Sequence, residues 1–109
     1  MPISNRPWSD ISESDYADAG DYCAASLIDL NEGSDKSKGL CKLPVREPRS
    51  MGGALNRNGV HAAYNALAGG LGGVQASPDV KRKAARRLLS LYRELNEEPP
   101  EGLRRLASG

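Results

Sequence analysis

The amino-acid sequence predicts a mainly α domain: three helices around an aliphatic core, with two short segments that could pair into a small two-stranded β element. Three observations lead to this prediction. The chain has 109 residues, which is the size of a single domain. It has no Phe and only 5% aromatic residues, so aliphatic side chains have to fill the core. Apolar residues recur at helical spacing in three stretches of the chain.

The chain is expected to divide into a lead-in, one domain and a tail. Residues 1–12 are polar and contain two prolines, which predicts a flexible lead-in held by Trp8. Residues 13–106 are predicted to form the single helical domain, and residues 107–109 the tail. No run approaches the ~18 apolar residues of a membrane span, and the N-terminus lacks the pattern of a signal peptide. We therefore expect a cytoplasmic protein without membrane contact.

The first half of the domain is predicted to hold one short helix and two extended segments. The helix is expected between residues 15 and 26, and Gly20 lowers its stability by about 1 kcal/mol relative to Ala. Residues 27–31 (LIDLN) alternate in polarity and could form a strand or end the helix. Residues 40–47 (LCKLPVRE) alternate again, and Pro44 restricts them to a sheet edge or an extended segment.

The second helix is expected within residues 59–74 (GVHAAYNALAGGLGGV), because several apolar residues there share one helical face: Val60, Ala63, Tyr64, Leu67 and Leu71. Asn56 or Asn58 can act as its N-cap, since a side-chain oxygen accepts from the free amides of the first turn. The helix should end where glycines able to adopt positive φ follow the apolar run. These glycines form a candidate interaction turn: Gly69, Gly70, Gly72 and Gly73.

The third helix has the clearest start signal in the chain. Ser77 can cap it, Pro78 suits the first helical position, and Asp79 lies at the positive end of the helix dipole. The helix is expected to run to about Leu95 and to bury one stripe: Val80, Ala84, Leu88, Leu91, Tyr92 and Leu95. Two prolines then stop it. The closing segment LRRLASG is expected to be a short tail that could dock Leu103 and Leu106.

The glycines and the single histidine, His61, do not form a recognisable catalytic or nucleotide site. A phosphate loop needs GxxxxGK[ST], and a dinucleotide loop needs GxGxxG between a strand and a helix. The GGLGG stretch has neither form and is expected to join two helices. His61 is interpreted as a partly exposed structural residue, with a ligand or acid–base role as the less favoured alternative. We expect a protein that is not an enzyme and binds no cofactor.

The two cysteines, Cys23 and Cys41, are predicted to be buried free thiols. A reducing cytosol argues against a disulfide, which is the second interpretation. Zinc usually needs four ligands, and the two cysteines with His61 supply three without any CxxC spacing. A metal site is therefore the least favoured interpretation.

Charge is distributed unevenly along the chain. Residues 1–35 carry eight acids and one base, and the remainder carries fourteen bases and six acids. The third helix (78–95) holds the candidate basic binding face: Lys81, Arg82, Lys83, Arg86, Arg87 and Arg93. A solvated helix face is the favoured interpretation. The alternatives are contact with an acidic protein or with the chain's own acidic half, and binding along a nucleic-acid backbone.

Several stretches occur in a distinctive order: CAASLID, KSKGLCKLPVREP, GALNRNGVHAAYNALAGGLGGV, and SPDVKRKAARRLLSLYRELNEEPPEGL. This order resembles a small module of tailed-phage and prophage proteins that is attached to prohead maturation proteases and to Mu-like scaffold or protease proteins. The similarity covers about residues 8–103. The matching positions are Leu43 and Pro44, then Gly72, Gly73 and Val74, then Tyr92, Glu98, Pro99 and Pro100.

Two positions qualify the resemblance. Leu71 departs from it, because the module usually has arginine there. Cys41 lies where an aromatic residue is frequent, which favours packing over metal binding. The resemblance implies no catalytic residue, since it concerns the attached module and not the protease.

The resemblance implies a non-enzymatic protein-interaction module of capsid assembly, found in the host cytoplasm or in the virion. Its partner would be a phage structural, scaffold or protease protein. We expect the glycine-rich turn, the polar loop 32–39 and the exposed helix faces to make the contacts. The alternative is a small nucleic-acid-binding protein that uses the basic helix.

Overall fold

The computed structural model describes residues 3–32, 35–69 and 76–108 of the chain. These residues form four helices: α1 (Ala19–Ala25), α2 (Arg57–Leu67), α3 (Pro78–Glu94) and α4 (Glu101–Ser108). They also form four short strands: β1 (Ile3–Ser4), β2 (Ser26–Asp29), β3 (Cys41–Pro44) and β4 (Leu55–Asn56). The predicted mainly α class with a small β element is confirmed. The fourth helix replaces the tail that the sequence predicted.

The two segments that alternate in polarity form the predicted strand pair. β2 and β3 are antiparallel, with Ser26 opposite Pro44 and Asp29 opposite Cys41. Pro44 lies at the end of β3, where a residue without an amide proton interrupts no ladder. A second pair, β1 with β4, is parallel.

The N-terminal segment, which was predicted to be a flexible lead-in held by Trp8, contacts the rest of the domain at several points. Besides the β1–β4 pairing, the side-chain amides of Asn56 and Asn58 each donate to the Arg6 carbonyl over 3.1 Å. The Trp8 ring lies against Gly59, where a Cβ would come within 3.1 Å of three ring carbons. At the other end of the chain, Ala107 of α4 is buried.

Local capping signals determine where the helices begin. Asn56 accepts a hydrogen bond from the Gly59 amide over 2.8 Å, and Ser77 accepts from the Val80 amide over 3.3 Å. Both predicted caps are therefore confirmed. Asp18 caps α1 by accepting from the Asp21 amide, and this explains why α1 begins later than the predicted residue 15.

The hydrophobic core surrounds α3, which packs against α2, α4 and β2. Leu88 of α3 and Leu103 of α4 are both 0% exposed. The buried stripe predicted for α3 is confirmed, because its residues lie in the core or pack against it. The predicted docking of Leu103 is also confirmed. Among the described residues, no helix is long and apolar enough to cross a membrane.

The prediction of free thiols is wrong, because Cys23 and Cys41 form a disulfide. β2 follows α1 directly, and β3 pairs back along β2. This pairing brings Cys41 to α1 and leaves a Cα–Cα distance of 5.3 Å, which a disulfide spans without backbone movement. The cysteines are 18 positions apart, and the contact depends on strand pairing that cysteine spacing does not reveal.

Candidate functional site

A surface groove of about 390 Å³ lies between the start of α3 and the face of α4. Two kinds of side chain line it. We call the apolar and small residues its floor and the cations of the two helices its rim: Ala76, Pro78, Gly102 and Leu106, with Lys81, Arg82 and Arg105. We call this set the α3–α4 groove. Its apolar floor and basic rim are suited to a ligand that is itself partly apolar and partly acidic.

The rim guanidinium groups are available to a ligand because their present ion pairs are weak. Arg82 pairs with Asp79 over 3.0 Å and Arg105 with Glu101 over 2.9 Å, each one turn apart on its own helix. The Arg105 side chain is 76% exposed. Exposed pairs of this kind contribute about 0.5 kcal/mol or less. An incoming carboxylate can therefore replace either partner at little cost.

A hydrogen bond next to the groove ties α3 to α4. The Arg86 Nε donates to the carbonyl oxygen of Ala107 over 3.1 Å, at the C-terminal end of α4. A cation there also interacts favourably with the negative end of the helix dipole. Together with the buried Leu103, this contact fixes α4 along α3.

The structure distributes the predicted basic face over several environments. Lys81 and Arg82 line the groove, whereas Arg86 holds α4. Arg87 donates to the Leu27 carbonyl over 2.8 Å and joins α3 to β2, and Lys83 lines a separate shallow cavity beside β2. Arg93 is exposed near the end of α3. Two of the six predicted cations therefore have structural contacts inside the fold.

The predicted interaction turn is described only in part. Gly69 follows α2 with a φ of 104°, which confirms the expected positive φ at this glycine. Gly70, Gly72 and Gly73 lie outside the described residues, as do Leu71 and Val74.

His61 belongs to a polar cluster that joins α2 to the segment after α3. Its Nε2 lies 2.8 Å from a Glu97 oxygen, and Arg57 forms an ion pair with the other oxygen. The imidazole stacks on Tyr92 with ring centroids 5.9 Å apart. Burial acts to raise the pKa of Glu97, but hydrogen bonds from His61 and Arg57 outweigh it and lower that pKa. At 41% exposure His61 is partly exposed, as predicted.

The arrangement offers no assembled thiol–imidazole pair for catalysis. Cys23 and Cys41 are bonded to each other, and the His61 Nε2 interacts with Glu97. A nucleophilic cysteine would need a thiolate within reach of a base. In comparisons with known proteins, no family model, curated protein or solved structure matches the chain.

Sequence reasoning missed the contribution of α4 to the groove. Arg105 and Leu106 were assigned to a tail, although Leu103, Leu106 and Ala107 have the spacing of one helical face. Glu101 four residues before Arg105 is a further helix signal. The segment is short, so these signals do not predict a helix until its docking on α3 is known.

Proposed function

We propose that this chain is a non-enzymatic protein-interaction module of phage or prophage type that serves head assembly. It binds an acidic, partly apolar segment of a capsid, scaffold or protease protein in the α3–α4 groove. The observation that carries this proposal is the combination of an apolar floor with three cations at the rim. The resemblance to the module of prohead proteases supports the class of partner. The setting is the host cytoplasm or the virion.

The groove favours a protein segment because its two parts recognise different chemistry. Burial of Leu106 and Ala76 against a ligand requires apolar surface, which contributes about 25 cal/mol per Å² removed from water. Lys81, Arg82 and Arg105 supply charge complementarity, which guides the encounter and selects acidic partners. An amphipathic helix with leucine on one side and glutamate on the flanks meets both requirements.

Nucleic-acid binding is the second candidate, and the cations that both helices contribute to the groove favour it. Lys81, Arg82 and Arg105 stand around one surface, and phosphate contacts require cations of this kind. An apolar floor contributes nothing to phosphate binding, and Arg86 and Arg87 already contact carbonyl groups of the fold. The protein partner therefore uses more of the observed surface.

The two candidates can be separated with matched variants of neighbouring arginines. Arg105 lines the groove, whereas Arg104 pairs with Glu98 over 3.3 Å and is not among the lining residues. Both arginines are exposed residues of α4 with a glutamate partner. Arg104→Glu is therefore the control for Arg105→Glu, since it makes the same change in net charge on the same helix.

The probe is a fluorescein-labelled amphipathic helical peptide of leucine, alanine and glutamate, measured by anisotropy at physiological salt beside a short labelled duplex DNA. We expect Arg105→Glu to weaken peptide binding by about tenfold, equivalent to ~1.4 kcal/mol, and Arg104→Glu to leave it within about twofold. Peptide binding that both variants reduce equally would contradict the groove assignment. DNA binding at physiological salt without peptide binding would favour the second candidate, and binding of neither probe would refute both.

A further inference from the structure

A second cluster of chemically reactive side chains lies around the disulfide, away from the α3–α4 groove. One ligand atom from each of Cys23, Asp29 and Cys41 can be chosen so that all three lie within 4.8 Å of one another. The cysteines are buried, at 6% and 4% exposure, while Asp29 is exposed. Such a group joins two sulfur ligands in the protein interior to one oxygen ligand at the surface.

Backbone contacts hold these residues together in addition to the disulfide. Asp29 and Cys41 are directly opposite in the antiparallel β2–β3 ladder, and opposite residues point to the same face of a sheet. Backbone hydrogen bonds flank the ladder, from the Leu30 amide to the Leu40 carbonyl over 2.8 Å and from Val45 to Ala25 over 2.9 Å. The second bond also connects the last residue of α1, the helix that carries Cys23, to the residue that follows β3.

We propose that reduction of the disulfide turns Cys23, Asp29 and Cys41 into a binding site for a borderline-soft divalent cation such as Zn²⁺. Two thiolates and a carboxylate are ligands that zinc accepts, and a water molecule completes the tetrahedron. In a tetrahedral site with Zn–S bonds of about 2.3 Å, the sulfurs lie roughly 3.8 Å apart. The two Cα atoms are 5.3 Å apart, and rotation about the side-chain bonds of the reduced cysteines can bring their sulfurs to this separation.

Asn31 is placed to stabilise the thiolates. Its side-chain nitrogen lies 3.2 Å from the Cys41 sulfur and 3.6 Å from the Cys23 sulfur. The two hydrogens of this nitrogen are shared among the sulfurs, Asp29 and the Ser37 carbonyl, and the side-chain oxygen accepts from the Ser37 amide. An N–H group held beside a thiolate ligand orients it and offsets its charge. Asn31 is thus a positioning residue of the proposed site.

Lys36 forms an ion pair with the Asp29 carboxylate in the present structure. Its Nζ lies 2.7 Å from Asp29, and both side chains are about one-third exposed. An exposed ion pair of this kind is weak, so a divalent cation bound to two thiolates can displace it. His61, which the sequence offered as a third ligand, is bonded to Glu97 instead.

The reaction balances with a phosphine as the reductant. The disulfide accepts two electrons and two protons and becomes two thiols, while the phosphine and one water become the phosphine oxide. Binding of the cation then releases two protons as the thiols become thiolates. Before reduction neither sulfur carries a charge, so the oxidised protein offers only the carboxylate. A reducing cytoplasm would favour the cation-binding form.

The test is a titration of the full chain with Co²⁺ under anaerobic conditions, after reduction by a phosphine. We expect a sulfur-to-cobalt charge-transfer band that saturates at one cation per chain and is removed by Zn²⁺. The oxidised protein should give no such band. Asp29→Asn should weaken binding by at least about tenfold, while Asp35→Asn, which changes an exposed acid after the end of β2, should leave it unchanged.

Three results would overturn the proposal. The first is a reduced protein, folded by circular dichroism, that gives no charge-transfer band. The second is a reduced protein that unfolds and binds no cobalt, because the site requires the fold to persist. The third is a band whose affinity does not respond to Asp29→Asn, which would exclude Asp29 as a ligand. None of these results bears on peptide binding in the α3–α4 groove.

Discussion

Replacing both Cys23 and Cys41 by alanine removes the covalent link between α1 and β3 while changing little of the core volume. The cysteines are 18 positions apart, and in the chain-entropy account a loop of this length confers about 3 kcal/mol on the folded state. A domain of this size has a total unfolding free energy of roughly 5–15 kcal/mol. The double variant should therefore lose a large fraction of the stability, yet remain folded.

The assay is urea unfolding followed by far-UV circular dichroism, with a chelator present so that no cation contributes. The unfolding free energy of the oxidised protein should exceed that of the double variant by about 3 kcal/mol. Reduction by a phosphine should lower the unfolding free energy of the wild-type chain to nearly that of the variant. The same phosphine should not change the variant, which serves as the control for the reagent. The reasoning is refuted if the variant and the oxidised wild-type chain unfold at the same urea concentration.

Three further predictions concern other contacts of the fold. A Cβ at Gly102 would overlap the hydroxyl oxygen at the end of the Tyr64 side chain, so Gly102→Ala should lower the unfolding free energy in urea by no more than about 1 kcal/mol, and Tyr64→Phe should restore part of it. Burial raises the pKa of Tyr16 above its ordinary 10.0, so its neutral form stabilises the fold fully below about pH 10 and progressively less above it. In the Tyr16→Phe variant, the midpoint temperature of thermal unfolding should therefore fall less steeply with rising pH above about pH 10. The pKa of Glu97 is lowered in the folded protein, so its ionised carboxylate stabilises the fold at neutral pH. This stability is lost as the pH falls through that lowered pKa. Because His61 is 41% exposed, Glu97→Gln should cost no more than about 1 kcal/mol and should flatten the acid decline.

Each of these predictions has a result that contradicts it. A Gly102→Ala protein as stable as wild type would mean that the Tyr64 ring moves aside freely. If stability at alkaline pH falls as steeply in Tyr16→Phe as in the wild type, groups other than Tyr16 cause the loss. An acid decline that is unchanged in Glu97→Gln would show that its ion pairs contribute nothing to folding.

Local signals predicted α2 and α3 well because the interactions that start a helix act within one turn. Asn56 and Ser77 cap α2 and α3 as expected, and the buried stripe of α3 follows directly from helical spacing. The β2–β3 pair was predicted from polarity that alternates along residues 27–31 and 40–47. In each case the residues that determine the structure are neighbours in the sequence.

Features that depend on distant residues were not predicted. The Cys23–Cys41 disulfide forms because β3 returns along β2, and the α3–α4 groove exists because Leu103 docks α4 on α3. The basic face was predicted as one surface, since helical spacing cannot show that Arg86 and Arg87 would meet backbone carbonyls of other elements. Site geometry here is a product of tertiary packing.

The central claim is that the α3–α4 groove binds an acidic, partly apolar protein segment. Its most direct test is a titration of the ¹⁵N-labelled protein with the leucine–glutamate peptide, followed by amide NMR shifts. The account predicts shifts that saturate at one peptide per chain and concentrate at Ala76, Lys81, Arg82 and Leu106. Saturation should need about tenfold more peptide in Arg105→Glu and about the same amount in Arg104→Glu. Shifts centred on another surface, or no shifts at all, would contradict it.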